Sequence, residues 1–245
     1  MTVDGVFVTL DGPGGVGKSS VKEEITRLLR IEGRPVYATR EPTDTPLGNL
    51  ARQGTEQYEG LTMACLIAAD RYQHLRHEIR PALRRGHIVV CDRYVASSLV
   101  LQVIDGVPRD VVWDLNRHAD LPHLSVFLTA HPDVVANRLA QRGAHSRYER
   151  LPDSSAIESR LYAEAATFLT ERGVHVLQLD TTATSVRDLA HAVVEEIIDT
   201  QIRGRRNAVA DVQSQQPLPG EGGTAALVAG VPSGGRPRPH GDRAE

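Results

Sequence analysis

Apolar residues along this chain fall into short blocks separated by polar, helically spaced stretches. Val6-Phe7-Val8-Thr9-Leu10 is a β-rich run that stops at Asp11-Gly12-Pro13-Gly14-Gly15. From Ser20 to Arg30 the apolar residues recur at Val21, Ile25, Leu28 and Leu29, the spacing of one helix face. Residues 35–39 predict a second strand, 61–83 a long helix interrupted near Pro81, whose ring breaks the hydrogen-bond ladder, and 87–91 a third strand. Two further strands are predicted at 124–128 and 174–179, with helices over 132–141, 154–171 and 185–200. Strands that alternate with helices predict an α/β fold, a parallel sheet of five strands flanked by helices on both faces.

Beyond residue 203 the alternation gives way to Gln, Pro, Gly, Arg and Ser, ending in Gly234-Gly235-Arg236-Pro237-Arg238-Pro239. Such a segment buries too little apolar surface to offset the entropy of ordering it, so residues 204–245 are expected to be a disordered tail behind a catalytic domain at 1–203. A net charge of −3 gives no reason to expect a nucleic acid polymer or an anionic membrane as partner, and any anion must be held by a local site. No apolar run reaches the length of a membrane span and the N-terminus lacks a signal-peptide pattern, which predicts a cytoplasmic protein. Cys65 and Cys91 lie in apolar surroundings without metal-ligand spacing and are expected to be small buried hydrophobes. His74 and His77, three apart on the long helix, are expected on an exposed face.

The chemistry begins at Gly12-Pro13-Gly14-Gly15-Val16-Gly17-Lys18-Ser19, which matches G-x-x-x-x-G-K-[ST] where a strand hands over to a helix. Glycines let backbone N–H groups turn inward around phosphate oxygens, and the following helix aims its positive end at them. Lys18 supplies a point charge for the β- and γ-phosphates, and Ser19 offers a hydroxyl to Mg²⁺. ATP with Mg²⁺ is the expected donor. Three further clusters fall at the C-terminal ends of strands two and three or on the helix between them, the edge where ligands bind in open α/β sheets. They are Thr39-Arg40-Glu41-Pro42, Ala68-Ala69-Asp70-Arg71 and Asp92-Arg93-Tyr94.

In this order, with Arg142-Gly143-Ala144-His145-Ser146-Arg147-Tyr148-Glu149 after them, these segments resemble the thymidylate kinase family over residues 5–200. The resemblance implies a P-loop nucleoside monophosphate kinase-like three-layer fold, a small-molecule nucleotide acceptor, dTMP as that acceptor, a homodimer, and a lid at about 142–153. It implies further that Asp92 helps organise Mg²⁺ and its waters and that Arg93 and Arg40 sit near the acceptor phosphate. Arg71 would meet the pyrimidine base, and Gln102 would match the glutamine of the family's A-Y-Q segment, with both counted as substrate-binding. A guanidinium suits phosphate because it forks onto two oxygens. Arg147, supported by Arg142 or Arg150, would stabilise the transferring phosphoryl, because Gly15 stands where some members carry a catalytic arginine.

Three positions that face the nucleoside in the family depart from its pattern. Gly14 replaces a P-loop carboxylate near the sugar 3′-hydroxyl, Ile67 a base-stacking phenylalanine, and Leu101 a sugar-side tyrosine. Ser146 replaces a lid aspartate. The pocket changes raise a different pyrimidine monophosphate as an alternative acceptor. Other classes have their own readings. A deoxynucleoside kinase would use Glu41 as base toward a 5′-hydroxyl, against which the Asp92-Arg93-Tyr94 turn argues. A GTP-operated switch would need an N-K-x-D segment, which Asn116-Arg117-His118-Ala119 does not fit. Against a non-catalytic nucleotide-binding regulator stands the retention of Lys18, Ser19, Asp92 and Arg147.

Overall fold

A computed structural model describes residues 5–143 and 146–214, with side chains through 204. Five parallel strands, β1 (Val6–Asp11), β2 (Val36–Arg40), β3 (Ile88–Asp92), β4 (Leu124–Thr129) and β5 (Val176–Asp180), form one sheet in the order β2-β3-β1-β4-β5. The three central strands are almost continuously apolar because both of their faces are covered. Alternate side chains enter different cores. Phe7, Val89, Cys91 and Phe127 enter one, and Val6, Val8, Leu10, Val90, Val126 and Leu128 the other.

Helices α1 (Lys18–Ile31), α7 (Pro132–Arg142) and α9 (Val186–Ser214) supply the second core with Val21, Ile25, Leu29, Val135, Leu139, Leu189 and Val193. The first core is closed by α3 (Gly60–His74), α5 (Val95–Ile104), α6 (Arg109–Asn116) and α8 (Ser154–Thr170), through residues such as Ala64, Leu99, Val112 and Tyr162. Among the described residues the remaining α-helices are α2 (Pro46–Gln53) and α4 (Arg80–Arg84).

Several expectations change. The interruption of the long helix is a π-helical turn, Leu75–Ile79, placed before Pro81. The wider turn accommodates a ring that has no N–H and would clash with the preceding turn of an α-helix. Helix α9 runs through to Ser214, so the tail expected from residue 204 begins inside a helix. Backbone contacts divide the chain into Met1–Asn207 and Ala208–Glu245, and residues 215–245 lie outside the described residues. Cys65 is exposed, whereas Cys91 is buried in β3. His74 is not on an exposed face: it is buried, with Nε2 at 2.8 Å from Thr39 Oγ1 and Nδ1 at 3.1 Å from Glu41 Oε1. Among the described residues no helix is long and apolar enough to cross a membrane.

Candidate active site

Parallel register brings the C-terminal ends of three strands level, with Leu10 and Arg40 both paired to Asp92. The chain leaves each strand there, and each exit carries polar groups. After β1, the loop turns through Gly12 (φ +150°), Gly15 (φ +78°) and Gly17 (φ +102°), values that side chains other than glycine adopt at a cost. Gly17 caps α1 without a side-chain hydrogen bond, and the first intrahelical bond is Val21 N–H to Gly17 O at 3.0 Å. The amides of residues 18–20 therefore open the helix toward the loop, an anion seat built of backbone.

Lys18 is buried and donates from Nζ to Gly12 O at 2.8 Å and Pro13 O at 2.7 Å. Burial, then the neighbouring Arg93 charge, pushes its pKa down to about 7, although Asp92, Glu158 and Asp11 pull the other way. Ser19 Oγ donates to Asp92 Oδ2 at 2.8 Å. These two oxygens from β3 and α1 form a hard-donor pair at the loop, which fits Mg²⁺ completed by phosphate oxygens and waters. No cluster of three or more metal-ligating side chains occurs among the described residues, so the ion would depend on the nucleotide for its other ligands.

Beyond Asp92 the backbone turns sharply at Arg93 (φ 71°), with its N–H bonded to Leu10 O at 2.9 Å. Its Nη1 donates to Ser97 Oγ at 3.3 Å and Tyr162 OH at 3.2 Å. Burial works against this charge, but Tyr162, Asp92, Glu158 and Asp11 outweigh it and hold the pKa above the ordinary arginine range. The guanidinium is thus a fixed cation beside the carboxylate that meets the loop. Arg40, at the end of β2, is half-exposed and pairs with Asp44 at 2.6 Å. Asp11 accepts Tyr94 N–H, Ser97 N–H and Ser97 Oγ–H on Oδ1 at 3.1, 3.0 and 2.7 Å, tying the first strand exit to the third. Burial raises its pKa.

Gly14 has a local reason. A Cβ there would run into the lid residue Glu149, whose Cγ would lie 2.8 Å away, and the Gly14 N–H donates to Glu158 Oε2 at 2.9 Å. Two carboxylates from other segments converge on the position that lacks one.

Arg71 is wholly buried. Nε and Nη2 reach Glu41 Oε2 at 2.8 Å, Nη2 also donates to Ser98 Oγ at 3.0 Å, and Nη1 to Asn116 Oδ1 at 2.5 Å. Of its five N–H donors this leaves one Nη1 hydrogen for a ligand. Glu41 is held by both Arg71 and His74. Asp70 beside it accepts Thr43 N–H at 2.8 Å and the hydroxyls of Thr43 and Thr45, fixing the loop after β2. Gln102 is buried, with Oε1 unpartnered among the described residues, while Ile67 and Leu101 are partly buried.

In the lid, Arg147 Nη2 bonds Asp105 Oδ2 and Tyr148 OH, and its guanidinium lies 4.7 Å from the Tyr148 ring centroid. Burial raises the pKa of Asp105 despite these partners. The structure therefore rests Arg147 on the turn after α5 rather than on the glycine loop. Arg142 makes a two-bond fork to Glu149 at 2.9 and 2.8 Å, and Arg150 pairs with Glu56. Lid residues Ala144 and His145 lie outside the described residues.

A cleft of about 750 Å³ joins the glycine loop, the exit of β3 and part of the lid, and its lining does not include Arg40, Ile67, Arg71, Leu101, Gln102 or Arg147. Its lining includes Gly15–Val21, Asp92, Arg93, Arg138, Arg142, Ser146, Glu149 and Thr181. A model of the family described as thymidylate kinase matches residues 10–184. The chain belongs to the thymidylate kinase family. A thymidylate kinase of Xanthomonas oryzae pv. oryzae is 31% identical over 235 residues, 95% of this chain and 96% of that one. A probable thymidylate kinase of Caldivirga maquilingensis is 35% identical over 165 residues, 66% of this chain and 80% of that one. A thymidylate kinase of Paracidovorax citrulli is 38% identical over 162 residues, 60% of this chain and 73% of that one. Within this thymidylate kinase fold, Glu158, Tyr162, Asp11, Arg138 and Thr181 reach the site without having been picked out by motif. Glu158 did leave a trace: it lies three and four residues before Leu161 and Tyr162, an acid in the buried stripe of α8. Arg138 and Thr181 carry no local pattern, since only the fold brings them together, at 3.0 Å.

Proposed function

We propose that this chain moves the γ-phosphoryl of Mg·ATP to the 5′-phosphate of dTMP, giving dTDP and ADP. The observation that carries the reading is the way two anion-binding parts share one carboxylate: the loop with Lys18 and Ser19 on one side of Asp92, Arg93 on the other, and Ser19 Oγ 2.8 Å from Asp92 Oδ2. The loop amides and Lys18 hold the donor phosphates, and Arg93 with Arg40 holds the acceptor phosphate. A phosphate oxygen of dTMP bonds to the γ-phosphorus as its bond to the β–γ bridging oxygen breaks, and ADP leaves with those electrons. Positioning and charge stabilisation supply the catalysis, since the transferring group needs no covalent help from the protein. Bound Mg²⁺, held by Ser19 and by Asp92 through waters, would neutralise phosphate charge. Arg147 exchanges Asp105 for the transferring phosphoryl when the lid takes up nucleotide.

The family supports a homodimer and a cytoplasmic setting. Glu41 argues against a deoxynucleoside kinase, because its carboxylate is buried in pairs with Arg71 and His74 rather than presented to a hydroxyl. The test is ADP release with Mg·ATP against dTMP, dUMP, dCMP, UMP, CMP and thymidine, with an acceptor-free control. Turnover led by dTMP is expected. Preference for another monophosphate would transfer the acceptor assignment to it, and turnover of thymidine alone would overturn the reading.

A further inference from the structure

The polar groups around Arg93 can be counted donor by donor. A guanidinium carries five N–H groups and accepts nothing. Nη1 donates to Ser97 Oγ at 3.3 Å and to Tyr162 OH at 3.2 Å, which engages both of its hydrogens. The Ser97 hydroxyl gives its own proton to Asp11 Oδ1 at 2.7 Å, so toward Arg93 and Tyr162 it acts as acceptor. Tyr162 OH, 3.0 Å from Ser97 Oγ, therefore donates to it while the phenol oxygen receives Arg93. Burial pushes the Tyr162 pKa up against the pull of the Arg93 charge, so the phenol keeps the proton that these bonds need. Arg93 at the exit of β3, Ser97 in α5 and Tyr162 in α8 thus close a ring tied to Asp11 of β1.

Tyr162 is 1% exposed, and its ring meets that of Phe127 on β4 edge-on, with centroids 6.3 Å apart. The sheet, not a ligand, sets where its hydroxyl stands. Arg93, by contrast, is partly exposed and lines the cleft. Among the described residues no hydrogen bond uses its Nε or Nη2, and neither nitrogen is buried without a partner. Those two nitrogens share one edge of the planar group, and parallel N–H bonds from such an edge match two oxygens of a phosphate. Without the phenol, Nη1 would keep a single 3.3 Å bond to Ser97, and turning that edge away would cost little.

Resting on the assignment above of Arg93 to the acceptor phosphate, we propose that Tyr162 is a positioning residue: by taking one Nη1 hydrogen while Ser97 takes the other, it presents the Nε–Nη2 edge of Arg93 to two oxygens of that phosphate. Tyr162 acts only through Arg93, so its effect belongs to the phosphate of the acceptor and not to the nucleoside.

Calorimetric affinities for dTMP and thymidine, measured without ATP in the unaltered enzyme, Tyr162→Phe, Arg93→Lys and the double variant, isolate that effect, with melting temperatures and KM for ATP alongside. The unaltered enzyme is expected to bind dTMP more tightly than thymidine. Tyr162→Phe is expected to shrink this ratio roughly 10-fold, the low end for a hydrogen bond to a charged group, with thymidine affinity and KM for ATP unchanged. Phenylalanine keeps the ring against Phe127, so the melting temperature is expected to fall by no more than about 4 °C. In Arg93→Lys, which has no planar edge to orient, adding Tyr162→Phe is expected to change the ratio by less than about twofold. An unchanged ratio in Tyr162→Phe would overturn the proposal. So would an equal loss for dTMP and thymidine, which would make Tyr162 a strut of the nucleoside pocket, or an undiminished further loss in the Arg93→Lys background. If the unaltered enzyme bound thymidine as tightly as dTMP, the assignment of Arg93 to the acceptor phosphate would fail and the proposal with it. A ratio lost in Arg93→Lys but kept in Tyr162→Phe would sink the proposal alone.

Discussion

Replacing Arg71 with methionine removes a guanidinium that links α3, the exit of β2, α5 and α6 at one buried point. The methionine preserves much of the apolar stem, so the loss is chiefly electrostatic. Glu41, buried at 5% exposure, would keep only His74, and Asn116 Oδ1 and Ser98 Oγ would lose their donor. Breaking a buried ion pair by removing one partner costs about 3–5 kcal/mol, because the remaining charge is uncompensated. The unpaired Asn116 carbonyl favours the upper end of that range. Against a total stability of about 5–15 kcal/mol this is a large fraction. With a urea slope of about 2 kcal/mol/M, the unfolding midpoint should fall by roughly 2 M. The Arg71→Met, Glu41→Gln double variant should lose less than the sum of the two single losses, since removing both charges relieves the stranded carboxylate. Urea unfolding followed by circular dichroism reads all three. A single-variant loss below about 1 kcal/mol with unchanged slope would refute the view that Arg71 is a structural hub as well as a candidate base contact.

Lys18 gives a pH signature. With its pKa near 7 in the free protein, it must take up a proton to hold phosphate at higher pH, so ATP affinity by calorimetry should weaken above pH 7, approaching tenfold per unit at most, about 1.4 kcal/mol. Its effect on stability has the opposite slope. Unfolded lysine keeps its proton up to its ordinary 10.5, so the unfolded state binds more protons between about 7 and 10.5 and the Lys18 contribution to stability rises with pH across that window; Lys18→Met should flatten it. Arg147→Ala should lower kcat by about 10³–10⁵ in single-turnover phosphoryl transfer, and an unchanged rate would remove its assigned role. Native alkylation followed by mass spectrometry should label exposed Cys65 and leave Cys91, whose thiol is buried and whose pKa is pushed up by burial; equal labelling would contradict the packing of β3.

The alternation of short apolar runs with helical spacing was enough to predict the five strands, because a sheet covered on both faces needs central strands as unbroken as Val6–Asp11 and Ile88–Asp92. Helices α2 and α6 are short, at eight residues each, so they display too few turns for a period to stand out. The burial of His74 has a tertiary cause: its partners, Thr39 and Glu41, are more than thirty residues away and become neighbours only when β2 packs beside α3. Helix α9 outlasted the compositional boundary at 204, where the residues remain polar but include good helix formers.

Within the site, Gly12 to Ser19 was legible because its chemistry is local, a backbone loop followed by a helix end. Asp92 and Arg93 were legible by their place at the end of a strand. Gly14 was legible only as a gap. Its explanation lies in Glu149 and Glu158, more than a hundred residues further on, and no spacing rule links them.

The most direct test of the account follows the phosphoryl group itself. With γ-labelled Mg·ATP and dTMP, label is expected in dTDP on the β-phosphorus, and Asp92→Asn is expected to slow this transfer while leaving ATP bound. Label released as inorganic phosphate at the same rate with and without dTMP, or found in dTMP made from thymidine, would contradict it.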